Sequence, residues 1–284
     1  MLDKIRLWFS LVRFSHTFFA LPFAIAGWMV GSQGRFEPGT FVLVVLCMAT
    51  ARNAAMAFNR LIDRDIDASN ERTAKRDIPA GRISPKAASV FVFVNGAVFV
   101  GLTWLLNPLC FALSPVALAL VLGYSLTKRF TALCHVWLGL AIGISPLAAA
   151  IAASGRFSLV PALLGLVLWT WMTGFDIVYA TQDESHDKRL GLHSIPVALG
   201  REGAMRVSAI LHFATLGLLL LTGRLAGWGA PWHAATAVCG AVLVWMHLFR
   251  KDDDLSLQSG FFKANIVLSF TVLAGVAVQV LTSR

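Results

Sequence analysis

Long apolar stretches separated by short polar segments dominate the hydrophobic pattern of this chain. They recur at about the 20-residue length that crosses a bilayer. The stretches are 7–31, 41–62, 87–106, 109–126, 132–153, 158–181, 204–222, 232–249 and 260–281. The pattern predicts an all-α integral membrane protein with about nine transmembrane helices. The number is eight if the two spans around Asn107-Pro108 form one long helix kinked at the proline.

The amino-acid composition also indicates a chain surrounded by lipid. The 284 residues are 57% hydrophobic and 14% charged, and the mean hydropathy is +0.71. A soluble chain of this size needs more polar side chains to cover its surface. We therefore expect lipid around most of the chain, and we expect residues 1–284 to form a single transmembrane domain.

The positions of Lys and Arg predict the orientation in the membrane. With the N-terminus in the cytoplasm, most of the 24 Lys and Arg fall in inside loops, as the positive-inside rule requires. Arg52 falls within a span, and the outside segments keep only Arg35, Arg156, Arg224 and Arg284. This dispersed distribution also explains the net charge of +9 without a nucleic-acid partner.

The first span resembles a cleavable signal, but polar residues interrupt its apolar run. Arg13 and His16 stand where a signal peptide would be continuously apolar. We predict a retained first helix. Polar side chains in such a helix are expected to face an internal cavity.

Two acidic clusters carry the candidate chemistry. Asn59, Asp63 and Asp67 follow each other at four-residue intervals, so they share one helical face, and Asp183 and Asp187 repeat the interval. Asp63 and Asp67 would lie about 6 Å apart if the helix continues. Carboxylates at a membrane border are costly unless neutralised, and Mg²⁺ combines one or two carboxylates with substrate phosphate. The clusters predict a divalent-metal site and a phosphate-bearing ligand.

The alternative is a solvated, ion-paired membrane border, since basic residues such as Arg64 and Lys75 flank the first cluster. The second cluster argues against this alternative because it lies 120 residues after the first. The segments Ile78-Pro79 and Gly81-Arg82 recur as Ile195-Pro196 and Gly200-Arg201. We interpret this as a weak internal duplication.

Longer motifs around both clusters are similar to those of a known family. The first is Asn59-Arg-Leu-Ile-Asp63-Arg-Asp-Ile-Asp67, followed by Arg72-Thr73, Arg76 and Pro79-Ala80-Gly81. The second is Asp176-Ile-Val-Tyr179-Ala180-Thr-Gln-Asp183-Glu-Ser-His-Asp187. Both resemble the motifs of the UbiA family of intramembrane prenyltransferases, and the likeness covers essentially the whole chain. The segment Lys75-Arg76-Asp77-Ile78 departs from the usual sequence of the family's first motif. Glu184 adds a carboxylate next to Asp183, and its role is open.

The resemblance implies a ring of nine helices around a central cavity and a role for each motif residue. Mg²⁺ would be bound at the catalytic residues Asn59, Asp63, Asp67, Asp183 and Asp187. The diphosphate of a prenyl donor would be held by Lys128, Arg129, Arg72, Arg76 and Tyr124. The candidates for binding the acceptor are Arg52, Arg13, His16, Asp176 and Tyr179. Arg52 is a charge within a span, so it either anchors the acceptor's carboxylate or forms an internal ion pair. Arg13 and His16 either line the acceptor pocket or anchor the first helix at the membrane interface.

The implied reaction transfers a polyprenyl group from a polyprenyl diphosphate to an aromatic acid acceptor in respiratory quinone synthesis. The first-choice acceptor is 4-hydroxybenzoate, and a futalosine-type or naphthoate precursor of menaquinone stays open. We expect the protein in the bacterial inner membrane with its active site facing the cytoplasm, and we expect no obligate protein partner. A secondary transporter is the alternative from another class, but its charged site should lie near the membrane midplane.

Overall fold

The computed structural model describes residues 7–8, 10–12, 17–248 and 254–282, and the regular structure within them is helical. The helices are α1 Thr17–Gly31, α2 Pro38–Ile62, α3 Arg64–Ala68, α4 Pro85–Leu106, α5 Pro108–Thr127, α6 Cys134–Gly143, α7 Ser145–Ser154, α8 Leu159–Ala180, α9 Glu184–Arg189, α10 Ile195–Ala226, α11 Ala230–Leu248 and α12 Asp254–Thr282. Arg13 and His16 lie outside the described residues, so their predicted roles stay predictions.

Seven helical segments among the described residues are long and apolar enough to cross a membrane. They are α2, α4, α5, the pair α6 and α7, α8, α10 and the part of α12 from Phe262 to Thr282. The prediction of an all-α membrane protein is confirmed. Two further predicted spans coincide with α1, whose apolar part Phe19–Gly31 is shorter, and with α11.

Two predicted spans differ from the structure. The predicted span 132–153 consists of α6 and α7, which are separated at Ile144 just before Pro146. The predicted span 204–222 belongs to the longer α10, which is broken at Gly200. Gly200 has φ +70°, as does Gly81 in the loop after the first acidic cluster, and glycine adopts this left-handed conformation without a Cβ clash.

The helices form a closed circuit. Contacts run from α1 to α2, then through α4, α5, α6, α8, α10, α11 and α12, and α12 returns to α1. Small residues allow α1 to approach α7 closely: a Cβ on Gly27 would lie 2.0 Å from the Pro146 carbonyl oxygen, and one on Gly31 would lie 2.6 Å from that of Ala150. Such contacts are how membrane helices gain packing energy without a hydrophobic driving force between them.

Candidate active site

A cavity of about 510 Å³ lies inside the circuit and changes character along its length. Val44, Leu106 and Ile151 line its apolar end, and the two acidic clusters line the opposite end. Along α2, Val44 and Asn59 are separated by about 22 Å at the helical rise. The cavity therefore joins a charged mouth to an apolar interior deep enough for a lipid tail.

Both clusters have the same local backbone. Asp63 follows the last residue of α2 and precedes the short helix α3, and Asp183 lies just after α8 and precedes the short helix α9. The Asp67 amide donates to the Asp63 carbonyl at 2.7 Å, and the Asp187 amide donates to that of Asp183 at 2.8 Å. The predicted continuous helix through Asp67 is thus interrupted at Asp63, but this bond preserves the four-residue spacing.

The first cluster is buried and surrounded by cations. Asp63 is 3% exposed and Asp67 is 4% exposed. The Asp63 carboxylate accepts hydrogen bonds from Asn59 Nδ2 at 3.2 Å and Arg129 Nη2 at 2.9 Å, and it lies 2.7 Å from Lys128 Nζ. Asp67 accepts from Arg76 Nη1 at 2.6 Å. This compensation explains how two carboxylates are held at an apolar border.

The second cluster is less buried and less compensated. Asp183 accepts a hydrogen bond from Asn70 Nδ2 at 3.0 Å and is paired through both oxygens with Arg72, whose Nε lies at 3.1 Å. Among the described residues, Asp187 makes no ion pair. Burial raises the pKa of Asp187 to about 6, with attraction to Lys128 opposing the shift and repulsion by Asp183 adding to it.

The loop between α3 and α4 connects the clusters. It starts beside Asp67, where Thr73 Oγ1 donates to the Asp67 carbonyl at 3.0 Å. Its Asn70 and Arg72 reach across to Asp183, and the Arg72 guanidinium also lies 5.7 Å from the centre of the Tyr179 ring. The loop thus covers the charged mouth and holds both acidic motifs to one side of the cavity.

The predicted diphosphate contacts separate into two groups. Arg72, Arg76, Lys128 and Tyr124 line the cavity. Arg129 does not: its Nη1 donates to the Ser125 carbonyl at 2.8 Å and its Nη2 to the Ile62 carbonyl at 3.0 Å as well as to Asp63. Arg129 therefore braces Asp63 from behind the cavity wall.

The donor set suits Mg²⁺. The five predicted metal ligands all offer hard oxygen atoms and line the same cavity, and the buried Asp67 Oδ2 has no hydrogen-bond partner in the described part of the chain. No three acidic, His or Cys side chains among the described residues stand close enough to hold an ion by themselves. A metal bound here needs few protein ligands and further oxygens from a substrate, which is how Mg²⁺ is commonly held.

The predicted acceptor residues that the structure describes line the same cavity. Arg52, Asp176 and Tyr179 all line it, and Arg52 lies about 10 Å beyond Asn59 along α2. Glu184 does not line the cavity.

Three site residues escaped the sequence analysis. Arg60 is 6% exposed, with Nη1 3.9 Å from Asp67 Oδ2. Asn70 bonds the second cluster, and His135 Nδ1 lies 2.7 Å from Asp176 Oδ2. Arg60 follows Asn59 within the first motif, so its position could have been noticed. The other two contacts join distant segments and carry no local signal.

Comparison with known proteins agrees with this arrangement. A model of the UbiA prenyltransferase family matches residues 20–268. The 4-hydroxybenzoate octaprenyltransferase of Alkalilimnicola ehrlichii is 32% identical over 231 residues, which cover 80% of this chain and 78% of that enzyme. The enzyme of the same name from Serratia proteamaculans is 33% identical, over 76% of this chain and 75% of its own.

Solved structures share the fold. The apo structure of a UbiA homologue from Aeropyrum pernix K1 has a TM-score of 0.81 and 32% identity, and covers 93% of this chain and 97% of that one. A UbiA homologue from Archaeoglobus fulgidus bound to GPP and Mg²⁺ has a TM-score of 0.73 at 20% identity, over 94% of this chain and 99% of that one.

Fold and site together define an intramembrane enzyme of the aromatic prenyltransferase class. The chain belongs to the UbiA prenyltransferase family. The predicted family, the predicted enzyme class and the integral membrane character are thereby confirmed.

Proposed function

We propose that this enzyme transfers a polyprenyl group from a polyprenyl diphosphate to 4-hydroxybenzoate in quinone synthesis, with Mg²⁺ as cofactor, in the bacterial inner membrane and with its charged mouth facing the cytoplasm. The observation that carries the proposal is the cavity, because one continuous space joins paired carboxylates and cations to an apolar interior. The curated relatives bear the name 4-hydroxybenzoate octaprenyltransferase.

The charged mouth binds the diphosphate. Asn59, Asp63, Asp67, Asp183 and Asp187 would hold Mg²⁺, which when bound supplies positive charge to the departing diphosphate. Arg72, Arg76 and Lys128 now contact carboxylates at the cavity surface. Each can donate charge-assisted hydrogen bonds to phosphate oxygens when a diphosphate enters.

The interior protects and stabilises the allylic cation. Its lining is mainly alanine, leucine, isoleucine and methionine side chains, which exclude water and accommodate the prenyl tail. Phe19, Phe175 and Tyr179 form a row next to the mouth, with ring centroids 5.8 Å and 6.3 Å apart. Aromatic faces stabilise a nearby cation by their quadrupole.

Arg52 would bind the carboxylate of the acceptor. It is a cavity-lining cation below the charged mouth, so an aromatic acid could lie between it and the allylic carbon. We expect Arg52→Gln to raise the KM for the acceptor about 10-fold or more, as loss of a charge-assisted bond predicts, and to leave the KM for the donor nearly unchanged. Equal effects on both KM values would indicate a structural ion pair.

The test of the function is a reaction with purified protein in detergent, Mg²⁺, labelled geranyl diphosphate and a panel of aromatic acids. We expect prenylated 4-hydroxybenzoate and free diphosphate, and no turnover in excess EDTA. If product formed only from a naphthoate or futalosine-type acid, that acid and not 4-hydroxybenzoate would be the acceptor. Turnover that persists in EDTA would refute the metal-dependent mechanism.

A further inference from the structure

A histidine–carboxylate pair lies in the cavity wall, below the acidic clusters. His135 in the first turn of α6 is 3% exposed, and its Nδ1 lies 2.7 Å from Asp176 Oδ2 on α8. Both side chains line the cavity. The Asp176 side chain keeps 25% of its surface exposed, and its Oδ1 makes no hydrogen bond within the described residues. The Asp176 Oδ2 is therefore fixed by His135, and its Oδ1 is available to a ligand in the cavity.

Close helix packing fixes this pair. Gly139, one turn after His135, lies so close to α8 that a Cβ there would be 2.1 Å from Thr173 Oγ1. Thr173 lies about one turn before Asp176 on the same helix. Trp169 Nε1 adds a hydrogen bond to the Val136 carbonyl at 2.9 Å. The backbones that carry the two side chains are held together on both sides.

Asp176 also differs from the other carboxylates of the cavity. Asp63, Asp67 and Asp183 are each paired with Lys or Arg. Asp187 has no such partner among the described residues, but it lies in α9 at the charged mouth. Asp176 lies four residues before the end of α8 at Ala180, about 6 Å further into the cavity along the helix. It is thus a carboxylate paired with a histidine and not with Lys or Arg, at the depth where an acceptor ring would meet the allylic carbon.

We propose that Asp176 is the base that receives the proton displaced from the aromatic acceptor, and that His135 is the residue that positions it. The inference rests on the proposed prenyl transfer. The allylic C–O bond breaks and its electron pair leaves with the diphosphate. A ring π pair forms the new C–C bond, the C–H bond at that ring carbon then breaks, its pair restores the aromatic ring, and the proton passes to Asp176 Oδ1. No further reactant is required.

Asp176 is a catalytic residue in this scheme because it touches the reacting hydrogen. His135 acts through Asp176, since its Nε2 is buried without a hydrogen-bond partner in the described structure and its Nδ1 holds Oδ2. Orientation of a carboxylate by a histidine contact is the same device by which carboxylates orient histidines in other proton-transfer sites.

The test uses the full-length enzyme with geranyl diphosphate, Mg²⁺ and 4-hydroxybenzoate carrying deuterium at the two ring carbons beside the hydroxyl-bearing carbon. We expect Asp176→Asn to lower kcat about 10²–10⁴-fold, the usual contribution of a general base, with the donor KM nearly unchanged. We expect His135→Leu to lower kcat less and His135→Gln to restore most of it, because the amide can still hold Asp176. In the slow variants proton loss limits the rate, so the ring-deuterium isotope effect on kcat should exceed the wild-type value.

A matched control is available in another buried histidine. His212 Nδ1 lies 2.7 Å from His247 Nε2, and His212 does not line the cavity. His212→Gln removes a contact of equal length and should leave kcat and the isotope effect at wild-type values. A lower melting temperature in the His135 variants without any change in the isotope effect would overturn the proposal and indicate a structural tie. A wild-type enzyme that releases no diphosphate would instead refute the proposed function itself.

Discussion

The two acidic clusters share a spacing and a backbone geometry but differ in how their charge is compensated. Asp63 is almost completely buried and is contacted by Lys128 and Arg129. The Asp183 side chain is 20% exposed and depends on Arg72, which belongs to the loop after the first cluster. From this difference we expect the first cluster to combine a binding role with a structural one, and the second to exchange its partner at low cost.

The largest expected effect is loss of activity when either cluster is broken. We expect Asp63→Ala and Asp183→Ala each to reduce turnover by about 10³-fold or more, because each removes a proposed ligand of the Mg²⁺ that would neutralise the departing diphosphate. Diphosphate release measured with purified protein provides the test. If one variant kept more than a tenth of the wild-type rate, the two clusters would not act on one diphosphate.

The same two variants should also differ in how much they lower the stability of the protein. Asp63→Ala removes a buried carboxylate that is contacted by Asn59, Lys128 and Arg129, and losing these three contacts costs about 1–3 kcal/mol because both cations keep part of their surface exposed. Asp183→Ala leaves a partly exposed Arg72, which costs about 1 kcal/mol or less. Thermal unfolding in detergent should therefore show a larger fall for Asp63→Ala. Equal falls would contradict the structural half of the comparison.

The sequence predicts much of this site for a physical reason. Apolar spans and the four-residue carboxylate interval are local patterns that follow from bilayer thickness and helical periodicity, so helix positions and the acidic motifs could be read directly. The Asn70 contact with Asp183 and the His135 contact with Asp176 depend on how distant segments pack. The break at Ile144 was missed because an interrupted helix keeps nearly the same apolar pattern as a continuous one.

A smaller effect distinguishes two adjacent cations of the first cluster. Lys128 lines the cavity and Arg129 does not. We expect Lys128→Gln to raise the donor KM about 10–100-fold, the range for a lost charge-assisted hydrogen bond. Arg129→Gln should mainly lower the unfolding temperature, because it removes bonds to two carbonyls and to Asp63. Reversed effects would place Arg129 at the diphosphate.

Arg72 tests whether the second cluster can exchange its partner. Its side chain is 30% exposed, so its bonds are screened and we expect Arg72→Gln to raise the donor KM by about 10-fold or less. Because the substitution also frees Asp183, binding of Mg²⁺ alone should tighten. The measurement is a titration of magnesium into substrate-free protein followed by tryptophan fluorescence. Weaker magnesium binding in Arg72→Gln would show that Arg72 helps to shape the metal site and does not compete with the ion.

The smallest expected effect belongs to Glu184, which sharpens the boundary of the second cluster. Glu184 adjoins Asp183 in sequence but starts α9 and does not line the cavity. We expect Glu184→Gln to leave turnover and both KM values unchanged, and to alter the free energy of unfolding by about 0.5 kcal/mol or less. Asp187→Asn, three residues further along α9, is the matched comparison and should abolish turnover. A large loss of turnover in Glu184→Gln would mean that the charged mouth extends past Asp183 along α9. The second cluster would then include a residue that does not line the cavity.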